Sequence, residues 1–224
     1  MVLIHGNRKI ELFFLALLSL LFLQSCTVFR THIDDVCAAQ YKDEYPQPKA
    51  SRFSLPWKVG ESYRLTQGNC TLESHNLAQK QHMSFDFKMP IGTAVHAIAA
   101  GRVAAVVENF KDGVDMADDQ ANLIGIEHER GVISWYMHLK YNGVTVEVDD
   151  KVLRGEVIGY SGNTGNSAYP HLHLYAQQLT AECHDQENKT ARLNICPHLP
   201  LSFFNASPND RILKEFVDYT AKPY

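Results

Sequence analysis

The sequence predicts a mainly β, antiparallel domain of barrel or sandwich type that ends in a short C-terminal helix. Two observations carry this. From residue 55 onward, runs such as "AAGRVAAVVEN", "NLIGIEHERGVISWYMHL" and "GVTVEVDDKVLRGEVIGY" cluster or alternate β-branched and aromatic residues between Gly, Asn and Asp turns. Near the end, "SPNDRILKEFVDY" offers Ser207 as an N-cap and Pro208 at the first helical position, with Ile212, Leu213, Phe216 and Val217 on one face.

Residues 1–25 read as a signal peptide, with Arg8 and Lys9 as the basic region and Leu12 to Leu23 as an apolar stretch shorter than a membrane span. The adjoining "LQSC" resembles a bacterial lipobox, which makes Cys26 the lipidated N-terminal residue; a buried acyl chain contributes about 0.8 kcal/mol per methylene. Residues 26–54 are charged and proline-bearing without a sustained period, and read as a tether between lipid and domain. Residues 55–180 form the domain, and 181–224 a C-terminal extension. No internal repeat or low-complexity tract is visible.

The net charge of −4 over 224 residues gives no basic footprint, so no nucleic-acid partner is expected. Five cysteines occur. With Cys26 assigned to lipid, Cys37, Cys70, Cys183 and Cys196 remain, an even number that favours disulfides in an exported chain. Cys183 with Cys196 would make a local staple, and Cys37 with Cys70 would then tie the N-terminal segment to the domain. No C-x-x-C spacing supports a cysteine zinc site. The sequons at Asn69, Asn188 and Asn205 are chance matches in a bacterial lipoprotein.

The chemistry concentrates in histidines. In "AYPHLHLYAQ", His171 and His173 would point to one side of a strand about 6.6 Å apart. Upstream, Met83, Phe85 and Phe87 alternate with His82, Ser84 and Asp86, a strand with Asp86 on its polar face. His138 falls in the strand-like "SWYMHL". Several imidazoles and one carboxylate, from three β segments, are the donors of a catalytic zinc centre with one open position.

The series "SH…FDFKMPIGTAVHAIAAGRV", "ANLIGIEHERGVISWYMHL" and "VEVDDKVLRGEVIGYSGNTGNSAYPHLHLY" resembles the lysostaphin-type (LytM-like) zinc metallopeptidases of bacterial cell wall, over about residues 55 to 178. The resemblance implies one zinc ion held by Asp86 and His173, with His138 and His171 acting in catalysis. The third ligand stays open between two histidines. His82 and Asp86 have the spacing of the family's H-x-G-x-D, but Ser84 stands in place of the glycine, and residues four apart in a strand are about 13 Å apart. "QGNCTLESH" matches another version of the motif, ending at His75, which could sit opposite Asp86 across a hairpin at about 5 Å between Cα atoms.

The resemblance thus implies a zinc-dependent endopeptidase that hydrolyses the peptide cross-links of peptidoglycan. Its partners would be stem peptides and, through the N-terminal lipid, a membrane. Thr27 lacks the aspartate that retains lipoproteins in the inner membrane, so the periplasmic face of an outer membrane is the expected address. The alternative is a non-catalytic module that binds cell wall and activates a murein amidase; it is disfavoured because every ligand and base position is filled. A biotinyl or lipoyl carrier is disfavoured because Lys151 follows two aspartates. "SGNTGNSAYP" (161–170) reads as a turn bordering the substrate groove. Asn122 also matches a family position, with a structural role open beside it. His96 and His128 read as structural, His5 leaves with the signal, and His32, His184 and His198 lie outside the resemblance.

Overall fold

The computed structural model describes residues 39–71, 73–76, 81–113, 121–181 and 196–224. The signal segment, Cys26, Cys37 and Cys183 lie outside these, and with them both expected cysteine pairings. Among the described residues, no helix is long and apolar enough to cross a membrane.

The described residues form, in chain order, the strands β1 Ser62–Gln67, β2 Phe85–Lys88, β3 Ala94–His96, β4 Gly101–Val107, β5 Leu123–His128, β6 Val132–Met137, β7 Leu139–Val144, β8 Lys151–Val152, β9 Val157–Ser161, β10 Leu172–Gln178, β11 His198–Leu199, β12 Ala206–Ser207 and β13 Asp218–Ala221. All pairings of these strands are antiparallel, as the sequence predicts. The larger sheet runs β12-β13-β1-β2-β10-β6-β5-β4-β8, with β11 added to β10; the smaller runs β3-β9-β7.

The alternation in the sequence decides which way each strand faces. Phe85 and Phe87 of β2 and Leu172, Leu174 and Ala176 of β10 enter the main core beside Leu65, Trp57, Ile124, Tyr136 and Phe203. Residues in between point to the opposite face, where Trp135, Tyr175, Ile133 and Leu123 form a second cluster. Asp86 and His173 share that face by the period of two.

The expected helix over "SPNDRILKEFVDY" does not form. Ser207 pairs with Thr220 in the sheet, Phe216 takes a left-handed backbone at φ 63°, and the Lys214 N–H donates to the Tyr219 hydroxyl. Tertiary partners capture the backbone groups that a helix would have used, and tertiary context overrides propensity. Nor does packing break at residue 55. Tyr45 and Phe53 are buried, Phe53 bridges Phe203, and the Arg211 guanidinium donates to the carbonyl of Tyr45. The extension packs equally closely, with β13 against β1 and both Leu201 and Phe203 fully buried.

His128 and His96 take structural positions. His96 Nδ1 sits 2.7 Å from the Gly155 carbonyl. His128 is buried, with Nδ1 2.8 Å from the Ala100 carbonyl and Nε2 2.8 Å from Ser134 Oγ, which lies 3.2 Å from the Tyr136 hydroxyl. Burial, only partly offset by the Ala100 carbonyl, pushes its pKa down to about 4. The unfolded chain takes up this proton near pH 6.5 and the folded chain only near pH 4, so the stability is present above about pH 6.5 and is lost as pH falls toward about 4. Between pH 7.5 and 5, wild type should lose about 2 kcal/mol more than a His128→Gln variant, read from urea melts.

Candidate metal centre

The centre is laid down by strand register. β10 pairs with β2 so that His173 lies directly opposite Asp86, and His173 Nδ1 meets Asp86 Oδ1 at 2.7 Å. A one-residue slip would turn both side chains into the apolar core, so the burial of Phe85, Phe87, Leu172 and Leu174 fixes the polar pair as well.

His75 joins them from the connection between β1 and β2, outside any strand. Its Nδ1 is 2.9 Å from the Gly68 carbonyl, and a carbonyl can only accept, so Nδ1 carries the proton and Nε2 offers a lone pair. That Nε2 lies 3.3 Å from Asp86 Oδ1 and 3.3 Å from His173 Nδ1. The expected cross-hairpin pairing of His75 with Asp86 is not observed: Gln67 is the register partner of Asp86 on β1. Contact is made between side chains, because the C-terminal segment braces the loop. Glu215 accepts from the Gly68 N–H at 3.0 Å, and the Phe216 N–H donates to the Leu65 carbonyl at 2.7 Å.

His82 is not part of the cluster. Its ring packs against Tyr41 at 5.0 Å and His198 at 6.1 Å, while neighbouring Met83 is buried against Tyr45 and Cys70. Of the two histidines open in the sequence, the structure brings His75 to Asp86 and His173.

His138 and His171 complete the group. One ring nitrogen from each of His138, His171 and His173 lies within 4.8 Å of the others. His138 occupies the single position between β6 and β7, where the chain leaves the large sheet for the small one, and its backbone is left-handed at φ 60°. That conformation is uncommon for a residue with a side chain and typical of strain held at functional sites. Its Nδ1 is 2.7 Å from the Thr164 carbonyl. His171 Nδ1 is 2.8 Å from the Tyr169 carbonyl, and its Nε2 is 3.6 Å from Asp86 Oδ1. Backbone carbonyls thus accept from Nδ1 of His75, His138 and His171, which leaves Nε2 of each as the nitrogen without a backbone partner.

All five side chains are buried. Burial, reinforced by His171 and His173, pushes the His138 pKa down to about 3, so it stays a neutral base. Burial alone would raise Asp86, but His75 and His173 hold its carboxyl well below the usual range.

These donors fit zinc. Ligand atoms about 2.0–2.1 Å from a tetrahedral ion are about 3.3 Å from one another. His75, Asp86 and His173 present their atoms at 3.3, 3.3 and 2.7 Å. Two imidazole nitrogens and one carboxylate oxygen form a set that leaves a coordination position open.

Residues 80–186 match Peptidase family M23. That stretch is similar to a Peptidase M23 domain. Asp86, His138, His171 and His173 fall inside the matched stretch, and His75 lies just before it. Over 96 residues the chain is 45% identical to lysostaphin of Staphylococcus simulans, a match covering 42% of this chain and 17% of that protein. Over 92 residues it is 37% identical to the peptidoglycan DD-endopeptidase ShyA of Vibrio cholerae, covering 41% of this chain and 19% of that one. The matches therefore span under a fifth of the length of either relative. Among solved structures, lysostaphin from Staphylococcus simulans superposes with a TM-score of 0.43 at 30% identity, over 58% of this chain and 48% of that one.

Several supports of this centre carry no sequence signal of their own, among them the carbonyls of Gly68, Thr164 and Tyr169. "SGNTGNSAYP" owes its glycines to close approach. A Cβ on Gly162 would lie 2.4 Å from the Lys140 nitrogen, and Gly165, at φ 71°, would meet Ala121 at 2.8 Å. Asn122 is structural here. Its amide donates to the carbonyls of Phe110 and Leu139 at 2.8 and 3.2 Å, and its oxygen accepts from the Phe110 N–H at 3.0 Å. Asn122→Ala should cost about 2–4 kcal/mol in urea unfolding, because buried backbone groups beside His138 lose their partners.

Proposed function

We propose that this protein is a zinc-dependent endopeptidase that hydrolyses the peptide cross-links of peptidoglycan. One observation carries the reading: a three-donor set of His75, Asp86 and His173 shares its space with two further imidazoles, His138 and His171, each with Nδ1 against a backbone carbonyl. The M23 match and the likeness to lysostaphin and a peptidoglycan DD-endopeptidase point the same way.

In this reading His75, Asp86 and His173 hold one zinc ion. When bound, zinc supplies Lewis acidity that polarises a carbonyl and makes water nucleophilic near neutral pH. Asp86 contributes the single negative charge of the set, and strand register places it opposite His173. His138 and His171 present Nε2 to the reacting atoms. Either can take the proton of the attacking water at Nε2 and, now carrying it, hydrogen-bond the developing oxyanion before the proton passes to the leaving amine. Burial excludes bulk water from all five groups. The chain is exported, lipidated at Cys26 and held at the periplasmic face of an outer membrane, with the expected disulfides formed there.

The test pairs elemental analysis of zinc with mass spectrometry of digested peptidoglycan. Wild type should carry about one zinc and release stem-peptide fragments. His75→Ala, Asp86→Ala and His173→Ala should lose both properties, whereas His82→Ala keeps both. His138→Ala and His171→Ala should keep zinc and lose at least about 100-fold in rate. A folded wild-type protein that takes up no zinc and cleaves nothing would make this a cell-wall binding module instead.

A further inference from the structure

Tyr169 is gripped at both ends. Its backbone carbonyl is 2.8 Å from His171 Nδ1 and accepts from Ser167 Oγ at 2.9 Å. Its ring lies 5.1 Å from the His171 ring, inclined at 42°. Its hydroxyl donates to Thr66 Oγ1 at 3.0 Å, and Thr66 Oγ1 in turn donates to the Asp86 carbonyl at 2.9 Å. The Thr66 proton is therefore spent on Asp86, which fixes the direction of the Tyr169 bond.

Sheet order gives this contact its meaning. β2 lies between β1 and β10, so a side chain rooted beside the start of β10 and bonded to β1 crosses over the strand that carries Asp86. It does so on the centre's face, since Leu65 points into the core and Thr66 away from it. Tyr169 is 38% exposed, so its ring meets solvent as well as His171.

We propose that Tyr169 is the specificity-determining residue of this site: a fixed aromatic wall beside His171 and Asp86 that admits only a small side chain on the substrate residue lying against it. The proposal rests on the metallopeptidase reading above. Swinging the ring aside gives up its bond to Thr66 and its contact with His171, so a branched or aromatic residue there meets a wall that resists displacement. A single methylene too many in a pocket costs about 10- to 200-fold.

The experiment uses the full chain loaded with zinc, as wild type, Tyr169→Phe and Tyr169→Ala. Calorimetry gives the affinities of acetohydroxamate and benzohydroxamate, metal-directed probes of small and large size that need no catalysis. Tyr169→Ala should shift the affinity ratio at least about 10-fold toward the larger probe, with zinc content unchanged. Tyr169→Phe, which keeps the ring and loses the tether, should shift it less. On peptides whose residue beside the scissile bond runs from glycine to leucine, kcat/KM should follow the same order. An unchanged ratio in Tyr169→Ala, or loss of zinc from that variant, overturns the wall while leaving the metal centre standing. A wild type that takes up no zinc overturns both.

Discussion

One buried carboxylate organises this protein. Asp86 Oδ1 lies 2.7 Å from His173, 3.3 Å from His75 and 3.6 Å from His171, on a residue almost closed to solvent. An ionised carboxylate removed from water is expensive unless positive or polarisable partners surround it. Those partners come from remote parts of the chain: a loop after β1, the turn before β10, and β10 itself. Sheet register, loop bracing and carbonyl positions all serve to keep imidazoles around one oxygen. A cation at the same point would satisfy the carboxylate and the imidazole lone pairs together.

The second constraint is the seam between the two sheets. His138 sits at the one residue between β6 and β7, and its left-handed backbone turns the chain from one layer into the other. The Leu139 N–H donates to the Asn122 carbonyl, and the Asn122 side chain reaches the Leu139 carbonyl. Thr164, from the glycine-bearing loop, bonds both Leu139 through its hydroxyl and His138 through its carbonyl. The strain is thus absorbed by a small polar lattice that also sets the tautomer of the imidazole.

Much of this can be read in the sequence, and the reason is local. The alternation through Phe85, Asp86 and Phe87 and through Leu172, His173 and Leu174 declares which side each residue faces, and the family resemblance implies that Asp86 and His173 act together. His75 remains one of two options in the sequence because nothing in "QGNCTLESH" reveals that Gly68 and Glu215 anchor the loop. The C-terminal segment misleads because "SPNDRILKEFVDY" satisfies helical pattern rules while its backbone partners, Tyr219 and Thr220, belong to a strand. Residues 45–54 look like a tether because charge and proline outnumber the aromatics that pin them. Tyr169 and Thr66 meet from 103 positions apart, beyond any local signal.

The pairing of β1 with β13 bears on the order in which the molecule comes together. Arg64 and Asp218 form a bidentate pair across 154 positions, and Glu215 in the same terminal stretch steadies the loop that delivers His75. Closing so long a loop is entropically late, and contacts of this separation form slowly. A nascent chain, synthesised from its N-terminus, therefore holds all five site residues before it holds the brace that aligns them. Until the stretch from Glu215 to Ala221 has followed, Gly68 and the loop that carries His75 lack that support.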